Sequence, residues 1–372
     1  MNKHKKVAFV HDWLVTYRGG EKVLESLLHL YPEAPIYTLF YEPGRLPKSI
    51  RERHIIFPKT LNYLKHFRKL LLPVLPAVVE SFDLRDYDLV ISTSSCVAKG
   101  VITNPNAKHV CYIHSPMRYI WDQREHYMKG FSKIPFGRAL FHMISSRLRL
   151  WDTLSSHRVD TFVANSSFVK SRVKKYYNRD AIVICPPVKA APTQIPEKTS
   201  LTEKPYYLLA GAFVSYKRFD IAIEACEQLG KRLIVAGSGP AEDSLRAIGG
   251  KHTEFVISPD DEVWDSLMIH AEAFLFPGLE DFGITAIEAL GCGTPIIAFK
   301  GGGALDFVEP GVNGCFFDEQ SSESLKECLQ NFEPRAFDRA RLSEMADAYS
   351  ETRFIKRMKS EIFDKMEADF AH

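Results

Sequence analysis

Short apolar runs alternate with segments of helical period along the chain. Residues 7–10 (VAFV) precede a polar loop and then residues 21–30, where Val23, Leu24, Leu27 and Leu28 recur at helical spacing. This predicts a strand, a loop and a helix. The same grammar returns at 89–92, 110–113 and 161–164, each a β-rich run followed by a turn or a helix-like stretch. Strands alternating with helices imply an α/β fold with a parallel sheet covered on both faces.

From 186 to 204 the chain reads PPVKAAPTQIPEKTSLTEK, rich in proline and polar residues and without an apolar period, which predicts a linker. The grammar then restarts: 206–210 before 218–229, 232–236 before 241–248, then 273–276 and 294–299. Two doubly wound, Rossmann-like domains in tandem follow, over residues 1–190 and 205–351. At 372 residues and 45% hydrophobic side chains, the chain is too long for one ordinary core. The last stretch, 352–372, carries Phe354, Ile355, Met358, Ile362, Phe363 and Met366 at helical spacing and is expected to pack back on a domain, the N-terminal one being the candidate.

Charge divides the halves. The net charge is +2, but residues 1–190 carry +15 and residues 191–372 carry −13. The basic half suits a polyanion, an anionic membrane face or a phosphate-bearing substrate. Its densest stretch, 45–72, holds eight Lys/Arg and one acid among Ile, Phe, Leu and Tyr. That mixture fits an anionic membrane surface, or an amphipathic helix packed on the domain. No helix-turn-helix, zinc-finger or aromatic RNA-binding signature accompanies it, so nucleic acid is not an expected partner. The seven cysteines are scattered and never spaced as Cys-x-x-Cys, which suits a reducing cytosol rather than a disulfide framework or a zinc site. The N-terminal apolar run is too short for a signal peptide and the longest apolar stretch, 70–79, holds two prolines, so a cytoplasmic protein on the inner face of the membrane is expected.

The richest chemistry lies in FPGLEDFGITAIEALGCGTPIIA at 276–298, where Glu280 and Glu288 stand eight residues apart. Glu280 falls in the loop after a strand, and residues 281–285 open a helix whose free N–H groups and dipole make an anion site. A carboxylate accepts two hydrogen bonds and so clamps a vicinal diol. An isolated pair of glutamates at this spacing reads as a helix cap and a solvated acid.

The segment, however, resembles the Glu-x7-Glu signature of the family-four retaining glycosyltransferases (glycosyl transferases group 1) of the GT-B fold, in which two Rossmann-like domains face a central cleft. His11-Asp12-Trp13, Gly19-Gly20-Glu21 and the run from His114 to Tyr119 look like the subgroup that builds O-antigen and exopolysaccharide, many of whose members transfer mannose from GDP-mannose. The resemblance implies that Glu280 contacts the transferred sugar and Glu288 the ribose, while amides across Phe282, Gly283, Ile284 and Thr285 meet the sugar and diphosphate. Lys217 matches the lysine that neutralises the leaving diphosphate. Gly211, Arg218 and Gly237 fall where such enzymes bind the donor. Gly19 and Gly20 would approach a phosphate with their backbone. His114 joins Lys217 and Glu280 as a catalytic candidate, with Asp12 and Arg118 on the acceptor side. The chain departs from the family at Ala212, where the usual pattern has an arginine, so one of two diphosphate cations is missing; Arg218 or a side chain of the basic half would have to replace it.

By the same resemblance the reaction proceeds at the front face through an oxocarbenium-like ion pair, with no metal or cofactor, and the leaving phosphate takes the acceptor's proton. The implied partners are a nucleotide diphosphate sugar and a lipid-linked glycan acceptor. Two other readings remain open: a nucleotide-sugar-binding scaffold that has lost catalysis, favoured by Ala212, and a nucleotide-sugar epimerase on the same fold.

Overall fold

All eight strands that the apolar runs predict are present in the computed structural model, which describes residues 5–68, 70–122 and 137–366. They belong to two units. One comprises the residues up to Pro186 together with the tail from Ile355, and the other is Pro187–Phe354.

The N-terminal unit is a seven-stranded sheet of β1 (Val7–His11), β2 (Ile36–Thr38), β3 (Ile55–Ile56), β4 (Leu89–Ser94), β5 (Lys108–Ile113), β6 (Thr161–Ala164) and β7 (Ala181–Val183). The order is β3-β2-β1-β4-β5-β6-β7, and every pairing is parallel. β1 and β4 are buried along their whole length, as expected of strands covered on both faces. The short strands β2, β3 and β7 were not legible as apolar runs.

The C-terminal unit repeats the plan with β8 (Tyr207–Ala212), β9 (Leu233–Ser238), β10 (Thr253–Ile257), β11 (Ala273–Phe276), β12 (Ile296–Phe299) and β13 (Gly314–Phe317), ordered β10-β9-β8-β11-β12-β13. In both sheets the order reverses beside the first strand, between β1 and β4 and between β8 and β11. Crevices beyond the C-terminal ends of strands at such a reversal are where doubly wound sheets bind ligands.

The expected linker is tied to the C-terminal unit. Val188 N–H donates to Tyr349 C=O at 2.9 Å, His270 Nε2 lies 2.9 Å from Pro196 C=O, and Lys189 meets Asp265 at 3.1 Å. The tail forms an α-helix over Glu351–Arg357 and π-helical turns over Met358–Phe363. Within the N-terminal unit, Phe363 sits edge-on to Tyr31 and Arg357 Nη2 donates to Val183 C=O at 2.9 Å.

Two buried carboxylates fix the loop that follows β4. Asp12, just beyond β1, accepts from the amides of Ser95, Cys96, Val97 and Ala98 at 2.6–2.8 Å and from the Ser95 hydroxyl at 3.1 Å. Asp152, on the Gly137–Ser155 helix, meets the Lys99 ammonium at 2.7 Å and accepts from Trp121 Nε1 and the Tyr177 hydroxyl.

Candidate functional site

In the C-terminal unit the two strands at the reversal each deliver one charged group. β8 ends at Ala212, and a 3₁₀ turn over Ser215–Lys217 follows. Lys217 Nζ then lies 3.0 Å from Glu280 Oε1, in the loop after β11, and both side chains are largely shielded, 11% and 16% exposed. Glycines make this approach possible. Gly211 has φ +135°, and a Cβ there would stand 3.0 Å from Lys217 Nζ; a Cβ on Gly278 would fall 2.9 Å from Lys217 Cα. Gly237 pairs with Gly211 across β8 and β9, so close that a Cβ on Gly237 would sit 1.9 Å from Gly211 C=O.

Beyond Glu280, Phe282 is buried and Gly283, at φ +120°, precedes the Ile284–Gly291 helix without a side-chain cap. The first helical bond runs from Ala286 N–H to Gly283 C=O at 3.0 Å. The amides of Ile284 and Thr285 precede it and belong to the set that a helix start leaves to a ligand or solvent. Glu288 follows on the second turn, half-buried. Burial opposes the charge on the nearby Lys189 ammonium, but its bonds to Asp265 and the field of Glu288 outweigh that and raise it.

Sequence reasoning missed the segment that backs this loop. Gly303 N–H donates to Glu280 C=O at 2.9 Å, and Cβ atoms on Gly302 and Gly303 would lie 2.5 Å from Glu280 C=O and 2.4 Å from Phe282 Cα. The available signal was the bare Gly301-Gly302-Gly303 run after β12. Arg218 adopts φ 52°, ψ 41°, caps the Phe219–Leu229 helix, and pairs with Asp220 at 3.0 Å, its guanidinium partly exposed.

In the N-terminal unit, Gly19 opens the Gly19–Leu28 helix, two residues earlier than the apolar period suggested. Glu21 accepts from Arg18 N–H at 2.9 Å and the Thr16 hydroxyl at 3.2 Å, and burial raises its carboxyl above the usual range. Gly20 faces two imidazoles: a Cβ there would be 3.5 Å from His114 Nε2 and 3.8 Å from His11 Cε1. His114 Nε2 is buried and has no hydrogen-bond partner among the described residues. Burial, with the field of His11, lowers the His114 ring to about 4; burial lowers His11 to about 4, and its Nδ1 lies 2.6 Å from Thr93 Oγ1. Both rings are therefore neutral at pH 7. The His114 carbonyl accepts from Asn165 Nδ2 at 3.0 Å.

Thus Gly211, Lys217, Glu280 and the helix start of residues 282–285 come together, as do Gly20 and His114. Asp12 is only 2% exposed and spends its carboxylate on the loop after β4, which gives it a positioning role. Arg118 lies 3.8 Å from Asp122, which also pairs with Arg172 at 2.7 Å; Arg172 in turn donates to Ser115 Oγ.

Comparison with known proteins gives the same assignment from both halves. Residues 17–191 match Glycosyltransferase Family 4 and residues 191–348 match Glycosyl transferases group 1. The chain is 28% identical over 132 residues to the O-antigen chain mannosyltransferase C of Escherichia coli, covering 33% of this chain and 36% of that protein. It spans about half the length, or less, of the curated relatives it matches. Among solved structures, the sucrose-phosphate synthase of Thermosynechococcus elongatus superposes with a TM-score of 0.74 at 17% identity, over 97% of this chain and 100% of that one. Anabaena HepE in complex with UDP-glucose gives 0.66 at 17% identity, over 98% and 100%. The chain belongs to the family-four, group 1 glycosyltransferases, and its two doubly wound sheets are those of the GT-B fold.

Proposed function

We propose that the chain is a retaining hexosyltransferase that moves mannose from GDP-mannose to a lipid-linked or polysaccharide acceptor in the building of a cell-surface glycan. The observation that carries this reading is the Lys217–Glu280 pair, 3.0 Å apart beside the uncapped Ile284–Gly291 helix. Departure of a nucleoside diphosphate needs cations and N–H dipoles aimed at its growing charge. Lys217 and the amides of Ile284 and Thr285 supply both. Glu280 and Glu288 accept from hydroxyl-bearing rings on either side of the diphosphate. Arg218 stands in for the arginine replaced at Ala212, turning from Asp220 to the diphosphate, and no metal or cofactor takes part. His114, neutral, offers Nε2 to the sugar. The mannosyltransferase relative and the UDP-glucose complex of HepE support a nucleotide-sugar donor.

The N-terminal unit supports an acceptor held at a membrane. Tyr63, Phe67 and Leu70 are 86%, 61% and 67% exposed, in the same short segment as Lys59 and Arg68. No described helix is long and apolar enough to cross a membrane. Aromatic and basic side chains shown together in this way bind the interface of an anionic bilayer from one side.

A thermal-shift screen against GDP, UDP, ADP and TDP sugars tests the donor. A ligand at 100 times its dissociation constant raises stability by about 2.7 kcal/mol. Stabilisation by a UDP sugar alone refutes the GDP-mannose assignment, and no response to any of them refutes sugar transfer. Ala212 favours a second reading, a donor-binding scaffold without catalysis; slow hydrolysis of the bound donor by the purified chain excludes it.

A further inference from the structure

The proposed reaction makes no use of two facing cysteines. Cys315, on the edge strand β13, and Cys328, on the Ser322–Asn331 helix, bring their sulfurs to 2.9 Å. That is closer than unbonded sulfurs usually approach, so the two side chains already face each other. They stand thirteen positions apart, a spacing that belongs to no cysteine motif. Both side chains are half-buried against the core, and both line an open cavity of about 440 Å³ whose walls include Asp318, Glu327 and Phe332. A small reagent can reach them there. By contrast Cys96, Cys111 and Cys226 are buried.

We propose that Cys315 and Cys328 form a modification site, a dithiol that closes to an intramolecular disulfide when the chain meets a low-molecular-weight disulfide of the glutathione class. The two thiols share one hydrogen bond in which either sulfur can donate; with Cys315 as the donor, the bond lowers the Cys328 thiol and raises that of Cys315. Cys328 therefore ionises first and is the attacking sulfur. Its thiolate attacks one sulfur of the small disulfide, the S–S bond breaks, and one thiolate leaves. Cys315 then loses its proton to solvent and attacks the Cys328 sulfur, expelling the second small thiolate. Two protein thiols are oxidised by two electrons, and one small disulfide is reduced to two thiols. The product staples the helix to the edge of the sheet and closes a short loop, which stabilises the oxidised chain. The site stands whether or not the chain transfers sugar.

Peptide mapping tests it directly. The full chain is incubated with oxidised glutathione, quenched with N-ethylmaleimide and digested with trypsin, which cuts after Lys326, between the two cysteines. A species linking the two peptides is expected to accumulate ahead of any other disulfide and to vanish on reduction. In Cys315→Ser, Cys328 is expected to retain one glutathionyl group; in Cys328→Ser, modification of Cys315 slows by about tenfold or more. The proposal is overturned if both thiols remain open to N-ethylmaleimide, if either pairs with another cysteine first, or if Cys315 reacts as fast without Cys328.

Discussion

The Lys217 ammonium and the Glu280 carboxylate form an ion pair at 3.0 Å, contributed by the two strands between which the second sheet reverses. An arriving diphosphate must compete with Glu280 for that cation. Lys217→Ala is therefore expected to cut kcat by roughly 10²–10³-fold, while donor affinity changes far less, because the charge acts most strongly on the departing phosphate. Glu280→Gln has the opposite signature. It releases Lys217, so nucleoside diphosphate binds more tightly even as transfer falls. Isothermal titration with GDP, run beside transfer kinetics, separates the two, and weaker GDP binding to Glu280→Gln refutes the competition.

Arg218 is a second test of the same charge balance. Its backbone lies at φ 52°, a conformation that costs an alanine roughly 1–2 kcal/mol and a glycine almost nothing. Arg218→Gly thus removes the guanidinium without straining the backbone. A fall in transfer of roughly tenfold or more is expected, with the unfolding midpoint little changed. Wild-type kinetics in this variant would show that Arg218 does not replace the arginine missing at Ala212.

Gly20 separates stability from function in the other unit. Its backbone is helical, and an added methyl would meet His114 Nε2 at 3.5 Å, an ordinary contact. Gly20→Ala should therefore leave the fold intact and stabilise it by about 0.4–1 kcal/mol, by reducing the freedom of the unfolded chain. The methyl nevertheless stands against both imidazoles, 3.5 Å from His114 Nε2 and 3.8 Å from His11 Cε1. Transfer is expected to fall at least tenfold. Chemical denaturation and a rate assay on one preparation check both halves, and an active Gly20→Ala chain would show that no donor group approaches Gly20.

Legibility followed burial. β1, β4, β5, β6, β8, β9, β11 and β12 are four to six residues long and mostly buried, and so read as apolar runs, whereas β2 is buried but spans only three residues. β10 (TEFVI) is only half-buried and β13 is an edge strand of four residues, so neither carried a pattern. In the site, Lys217 and Glu280 were found through the family resemblance of their motifs, which records chain order. The support from Gly302 and Gly303 arises from packing between loops after different strands, which no local period encodes. Asp12 illustrates the same limit: the resemblance put it on the acceptor side, and the five donors it satisfies come from residues 95–98, more than eighty positions away.

Those five bonds give Asp12 a measurable cost. Each amide donor is directed at a buried charge, and hydrogen bonds to charged groups are worth about 1.5–3 kcal/mol apiece before their mutual dependence is considered. Asp12→Ala is expected to destabilise the N-terminal unit by about 3 kcal/mol or more. Asp12→Asn should be nearly as harmful, since its NH₂ would face amide donors. Trp13, Trp121 and Trp151 lie in the N-terminal unit and only Trp264 in the other, so a Trp264→Phe background reports this unit by fluorescence. A denaturant midpoint that does not move refutes the anchoring role.

The same background tests the buried imidazoles. His11, His109 and His114 are each lowered to about 4, in every case chiefly by burial. Their settings differ: Thr93 faces His11, Ser92 and the Arg158 carbonyl face His109, and Asp12 acts on His114 against His11. In the unfolded chain a histidine titrates near 6.5. As pH falls through 6.5 the unfolded state therefore takes up protons that the folded state refuses. Stability is complete above that point, is lost as pH falls toward 4, and each ring contributes at most about 1.4 kcal/mol per pH unit to the slope. Unfolding midpoints of the N-terminal unit measured from pH 7 to 5 should fall steadily, and His109→Gln should remove about a third of the slope. A flat profile over that range would mean that the rings are charged or exposed in solution, and the neutral His114 on which the proposed sugar contact relies would be lost with it.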